Sequence, residues 1–102
     1  MIRAAVHQID LGQADRGHEQ RGRRYGVVLG EIDWSMVTVV PTSTSAKDSR
    51  FRPRIDLLGT STLLLVDQMR SLDVRYVRDM VAYLSQDEMA RLERAVSLYL
   101  GL

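Results

Sequence analysis

Apolar residues in this chain come in short runs that Gly, Pro or a polar turn cuts off within a few positions. Tyr25–Leu29 stops at Gly30, Met36–Val40 at Pro41 and Arg54–Leu58 at Gly59. Runs this short, rich in Val, Ile and Leu, suit strands and are too brief for most helices. Ile2–Ile9, Ser61–Val66 and the shorter Gln68–Leu72 read the same way, with Leu63, Leu64 and Leu65 expected to be buried. Residues 11–24 and 42–53 read as loops, and 31–35 as a turn in which Trp34 is expected to be a partly buried anchor. So many short strands in 102 residues predict one compact domain, 1–102, built as a strongly bent sheet or small barrel.

Only the end of the chain carries a helical signature. Ser85-Gln86-Asp87-Glu88 is a capping box, in which the serine hydroxyl accepts from the Glu88 N–H and the Glu88 carboxylate reaches back. Met89, Leu92, Val96 and Tyr99 then recur at three- and four-residue intervals, and Gly101 ends the pattern. The expected class is mainly β with a C-terminal α-helix.

Composition narrows the function. The net charge of +1 gives no uniform positive field, so nucleic-acid binding must come from a local patch. Thirteen of the fourteen basic residues are Arg, the cation better suited to bidentate phosphate contact. Without Cys there can be neither disulfide nor thiolate site. No apolar stretch approaches the ~20 residues of a bilayer span, and Met1–Asp10 lacks a signal-peptide layout. A cytoplasmic protein without membrane contact is expected.

Two segments carry chemistry. Residues 16–25 hold Arg16, Arg21, Arg23 and Arg24 among two glycines, a pattern suited to gripping a phosphodiester; a solvated charged loop is the plain alternative. Pro41-Thr42-Ser43-Thr44-Ser45 places hydroxyls at the end of a core strand, as neutral donors to a phosphoryl oxygen. His7 and His18 lie in no metal-ligand spacing, and there is neither a phosphate-binding Gly loop nor a nucleophile elbow. One reaction needs only Arg and hydroxyl donors. In RNA the 2′-hydroxyl is tethered beside its own phosphate, so the protein need only orient the backbone and stabilise the growing charge.

These pieces together resemble the MazF/PemK mRNA-interferase toxins of bacterial toxin–antitoxin pairs. Ile2-Arg3-Ala4-Ala5-Val6-His7-Gln8-Ile9-Asp10 is similar to the family's opening strand, with Ala4 in its Gly position. Gly17-His18-Glu19-Gln20, Arg24-Tyr25 before Gly26-Val27-Val28-Leu29, and Val39-Val40-Pro41-Thr42-Ser43 resemble its next segments. Phe51 and Val66-Asp67-Gln68-Met69-Arg70-Ser71-Leu72 follow in the same order. The resemblance covers nearly the whole chain. It implies a small SH3-like barrel of the MazF/CcdB-like fold, acting as a homodimer without metal or cofactor. It implies sequence-selective cleavage of single-stranded RNA to 2′,3′-cyclic phosphate and 5′-hydroxyl ends. It also implies a cognate antitoxin, with DNA contacted only through that partner.

Carried over by position, the catalytic Arg is Arg24, with Arg23 as the competing assignment because Tyr25 replaces the family's Pro. The catalytic hydroxyl is Ser43, or Thr42 if the alignment slips by one. His18, Glu19, Gln20, Arg21, Arg23, Gln68 and Arg70 are the expected RNA-binding set, Glu19 as an orienting partner of Arg24. Two other readings stay open: a toxin on the same barrel that binds a protein such as gyrase, and a non-catalytic nucleic-acid-binding barrel.

Overall fold

A computed structural model describes residues 1–11 and 23–102. Seven strands, β1 (Ala5–Asp10), β2 (Arg23–Glu31), β3 (Met36–Ser43), β4 (Arg54–Leu57), β5 (Thr60–Leu64), β6 (Arg70–Asp73) and β7 (Val77–Tyr83), precede one helix, α1 (Gln86–Leu100). Two 3-10 turns, Val66–Gln68 and Val74–Tyr76, flank β6. The sheet runs β4-β5-β3-β2-β1-β7, with β6 also on β3, and every described pairing is antiparallel. The mainly β class with a C-terminal helix is as expected.

β2 and β3 are apolar without alternation because both of their faces are covered. Val27 and Val40 join the core beneath α1, with Leu64, Met89 and Leu92. Val28 and Val39 point the other way, into a second core with Ile9, Val37 and Leu72 that the curved sheet encloses. Irregular register between Val28 and Gly30, and twice along the β1–β7 pair, supplies part of the bend. Gly26 admits the fully buried Ile9 side chain, since a Cβ there would lie 2.7 Å from its Cδ1.

Pro41 does not stop β3, contrary to the sequence expectation. Residues 36–39 of β3 pair with β6, and Thr42 and Ser43 pair with β5. Pro41 sits where one partner gives way to the other, so its missing donor costs no ladder bond, and its carbonyl accepts from the Leu65 N–H at 2.8 Å.

Other boundaries also moved. β2 begins at Arg23, so Arg23 and Arg24 lie on a strand and not in the 11–24 loop. Gln68 lies in a 3-10 turn rather than a strand. β7 has no counterpart among the expected strands: it is an edge strand with Met80 and Tyr83 half-exposed, so no core stripe announces it. Trp34 is 89% exposed instead of anchoring its turn. The Asp33 carboxylate holds that turn, accepting from Ser35 N and Oγ, both at 2.7 Å, and from Met36 N at 3.0 Å.

The capping box forms as read, with Ser85 Oγ accepting from Glu88 N at 3.1 Å and Glu88 Oε1 from Ser85 N at 2.9 Å. Gly101 closes α1 in the left-handed region. Tyr99 leaves the core stripe to meet Phe51 edge-on, with ring centroids 5.3 Å apart. At the other end of the chain Ala4 adopts φ 75°, a conformation that suits Gly and strains a residue carrying Cβ. Relief of that strain, about 1–2 kcal/mol, outweighs the entropy that Gly adds to the unfolded chain. Ala4→Gly is therefore expected to raise the thermal midpoint slightly; a fall of several degrees would refute the assignment of strain.

Candidate active site

The β2–β3 ladder pairs Gly26 with Pro41. Thr42 Oγ1 then donates to the Tyr25 carbonyl at 3.0 Å, so the chain after Pro41 runs beside the residues before Gly26. One step further along each strand stand Arg24 and Ser43. Arg24, opposite Ile9 on its other side, is exposed. The backbone thus brings the expected Arg and both expected hydroxyls to one end of one ladder.

The two hydroxyls differ in what they have left to give. Thr42 is 4% exposed and its proton is committed to the Tyr25 carbonyl, which makes it a cross-strand fastener. Ser43 Oγ instead accepts from two loop amides, Ser45 N at 3.1 Å and Ala46 N at 3.0 Å. A hydroxyl has one proton and two lone pairs, so these bonds occupy its acceptor side. Ser43 is itself 7% exposed, and its proton has no acceptor among the described residues.

The loop that follows is held by a fork absent from the sequence reading. Arg52 donates from Nε to Asp67 Oδ1 at 2.9 Å and from Nη2 to Oδ2 at 2.8 Å, while its Nη1 reaches the Lys47 carbonyl at 3.1 Å. This ties the segment after Ser43 to the turn that carries Gln68. Hydrogen bonding to Arg52 lowers the Asp67 pKa, with partial burial opposing, and the same pair raises that of Arg52. Between loop and turn opens a cleft of about 490 Å³ lined by Lys47, Ser49, Arg52, Asp67 and Gln68 among others. Arg70 begins β6, exposed and opposite Val39.

His18, Glu19, Gln20 and Arg21 lie outside the described residues, and of Arg23 only the strand backbone is described. Among the described residues no three His, Cys, Asp or Glu gather as a metal ligand set, and no helix is long and apolar enough to cross a membrane.

Residues 2–100 match the profile of the PemK-like, MazF-like toxins of type II toxin–antitoxin systems. The chain belongs to this family. It is 56% identical to a Mycobacterium tuberculosis (strain H37Rv) protein, Rv3098A, whose name assigns it provisionally to the toxins; the match covers 100% of this chain and 99% of that protein. MazF from Deinococcus radiodurans superposes with a TM-score of 0.83 at 27% identity, covering 98% of this chain and 96% of that one. A mycobacterial endoribonuclease, solved with its cognate antitoxin, has a TM-score of 0.81, covers 100% of this chain and 96% of its own, and at 17% identity shares the fold.

In this PemK/MazF chain the Arg52–Asp67 fork carries a pH signature. A carboxyl whose pKa is depressed on folding stabilises the fold above its unfolded value of about 4, and that contribution disappears as pH falls through the folded value. The pair is partly exposed, so the effect is at most about 1 kcal/mol. Asp67→Asn is expected to be less stable than the parent at pH 7 and nearly equal to it near pH 2, measured by urea denaturation. A constant difference across that range would contradict the role given to the fork.

Proposed function

We propose that the chain is a metal-independent endoribonuclease that cleaves single-stranded RNA sequence-selectively, working as a cytoplasmic homodimer neutralised by a cognate antitoxin. The observation that carries the reading is the uncommitted proton of Ser43 one strand step from Thr42, at the ladder end that also presents Arg24. Family membership supports the toxin role and the partner.

In this reading the substrate supplies the nucleophile. The 2′-hydroxyl gives up its proton to solvent water as its oxygen forms a bond to the adjacent phosphorus, and the bond from phosphorus to the 5′-oxygen breaks. The products are a 2′,3′-cyclic phosphate and a 5′-hydroxyl. Negative charge grows on the non-bridging oxygens. The Arg24 guanidinium, charged at any working pH, and the Ser43 O–H are suited to stabilise it. Arg24 serves as an electrostatic stabiliser and as a proton donor to the departing 5′-oxygen. A guanidinium holds its protons too tightly to serve as a general base. Thr42 supports the same site by fixing the strand register. Gln68, which lines the cleft, and Arg70, at the start of β6, take the RNA-binding role, along with the basic residues before β2.

The test is digestion of mixed-sequence single-stranded RNA in EDTA, with the product ends analysed. Cleavage to cyclic-phosphate ends is expected for the parent. Loss of one charge-stabilising donor costs roughly 10²–10³-fold, so Arg24→Ala and Ser43→Ala should both be severely impaired. Thr42→Val should lose stability more than turnover. Intact RNA with the folded parent, across varied sequences, would reject the ribonuclease reading in favour of a toxin that binds a protein.

A further inference from the structure

The loop between β3 and β4 has a second side. Away from the cleft beside Lys47 and Gln68, a separate cleft of about 260 Å³ opens between this loop and α1, lined by Arg50, Pro53, Arg91, Arg94, Ala95 and Leu98. Three guanidinium groups thus border one small space in a chain of net charge +1.

Two of the three are held in place by contacts to the loop and the start of β4. Arg50 lies over the Phe51 ring, 5.3 Å from its centroid, and Phe51 rests edge-on against Tyr99 of α1. Arg91 donates from Nη1 to the Arg54 carbonyl at 2.8 Å. Asp87 lies 3.8 Å from Arg91 Nε and is itself 89% exposed, and Glu93, beside Arg94 on α1, is paired with Arg3. Asp48, the acid of this loop, is bound to Arg54. Arg50 and Arg94 have no ion-pair partner among the described residues. Gathered like charges repel, and an anion placed between them relieves that cost; guanidinium forks suit the oxygens of a phosphodiester in particular.

We propose that Arg50, Arg91 and Arg94 form a phosphate-binding site for RNA backbone lying outside the scissile segment. RNA is the occupant that continuity favours. The loop carrying Arg50 and Pro53 on this side lines the 490 Å³ cleft on the other with Ala46, Lys47 and Arg52, and the Ala46 amide donates to Ser43 Oγ. A strand leaving that cleft across the loop meets the arginines next. The inference rests on the ribonuclease reading. It adds to it a length requirement: substrates long enough to cross the loop bind more tightly, through charge and without sequence preference.

The test uses 2′-O-methyl RNA, which lacks the attacking hydroxyl and stays intact during binding. A long strand of about 24 nucleotides and a short one of about 6 are titrated by fluorescence anisotropy at several salt concentrations. Both Arg50 and Arg94 are exposed, so Arg50→Gln/Arg94→Gln should fold as the parent does, checked by its thermal midpoint. The double variant is expected to bind the long strand roughly three- to tenfold more weakly, with a salt slope shallower by about 1.4, or ~0.7 per lost contact. Binding of the short strand should not change. An unchanged slope, or equal loss on both strands, overturns the proposal. A polyglutamate peptide that binds the parent, but not the variant, with no change in RNA binding would assign the cleft to an acidic protein segment and overturn it too. Unmodified RNA is digested in parallel. If the parent fails to cleave while the arginine-dependent salt slope persists, the ribonuclease reading falls and the phosphate site stands.

Discussion

Burial of Val27, Val28, Val39 and Val40 on both faces of one antiparallel ladder fixes everything else about this molecule. Adjacent residues on each strand feed different cores, so a slip of one residue would exchange the contents of both. That penalty makes the β2–β3 register unique. The register in turn decides which residue after Pro41 faces which residue before Gly26. Chemistry on exposed side chains is thereby placed by valines that never touch substrate. The Thr42 bond to the Tyr25 carbonyl extends the register one step beyond the last paired residues, and Arg24 and Ser43 stand one step further along their strands.

Polar groups around this end divide the work by what each has already given away. Thr42 has spent its proton on the backbone, whereas Ser43 has spent its lone pairs on the Ser45 and Ala46 amides and keeps its proton. Arg52 has spent its fork on Asp67 and a further N–H on Lys47, so it shapes the loop and is unsuited to contact a ligand directly. Among the described residues Arg50 and Arg94 are spent on no carboxylate. Counting remaining donors in this way separates fasteners from candidates for RNA contact more sharply than residue type does.

Much of the frame was legible because its signals are local. The capping box, the terminal Gly101 and the short valine-rich runs each depend on neighbours in sequence, and each formed. Errors arose where a tertiary partner decides. Pro41 looks like a terminator until β6 and β5 are seen to meet at it. β7 has no stripe because it lies at the edge, paired to β1 alone. Trp34 reads as an anchor only while the hydrogen bonds of Asp33 are unknown. The Arg52–Asp67 fork joins two loops fifteen positions apart, a spacing that no helical or strand period produces. Ala4 stood out only as a departure from a family pattern, and its positive φ gives that departure a physical meaning.

The account stands on Arg24 and Ser43 acting on the same scissile phosphate, and a double-mutant cycle on single-turnover RNA cleavage tests this most directly. Groups that stabilise one transition state as a unit lose their effect together. The Arg24→Ala/Ser43→Ala enzyme is expected to be about as slow as the slower single variant. Rate losses that simply multiply would show the two side chains acting independently and contradict the account.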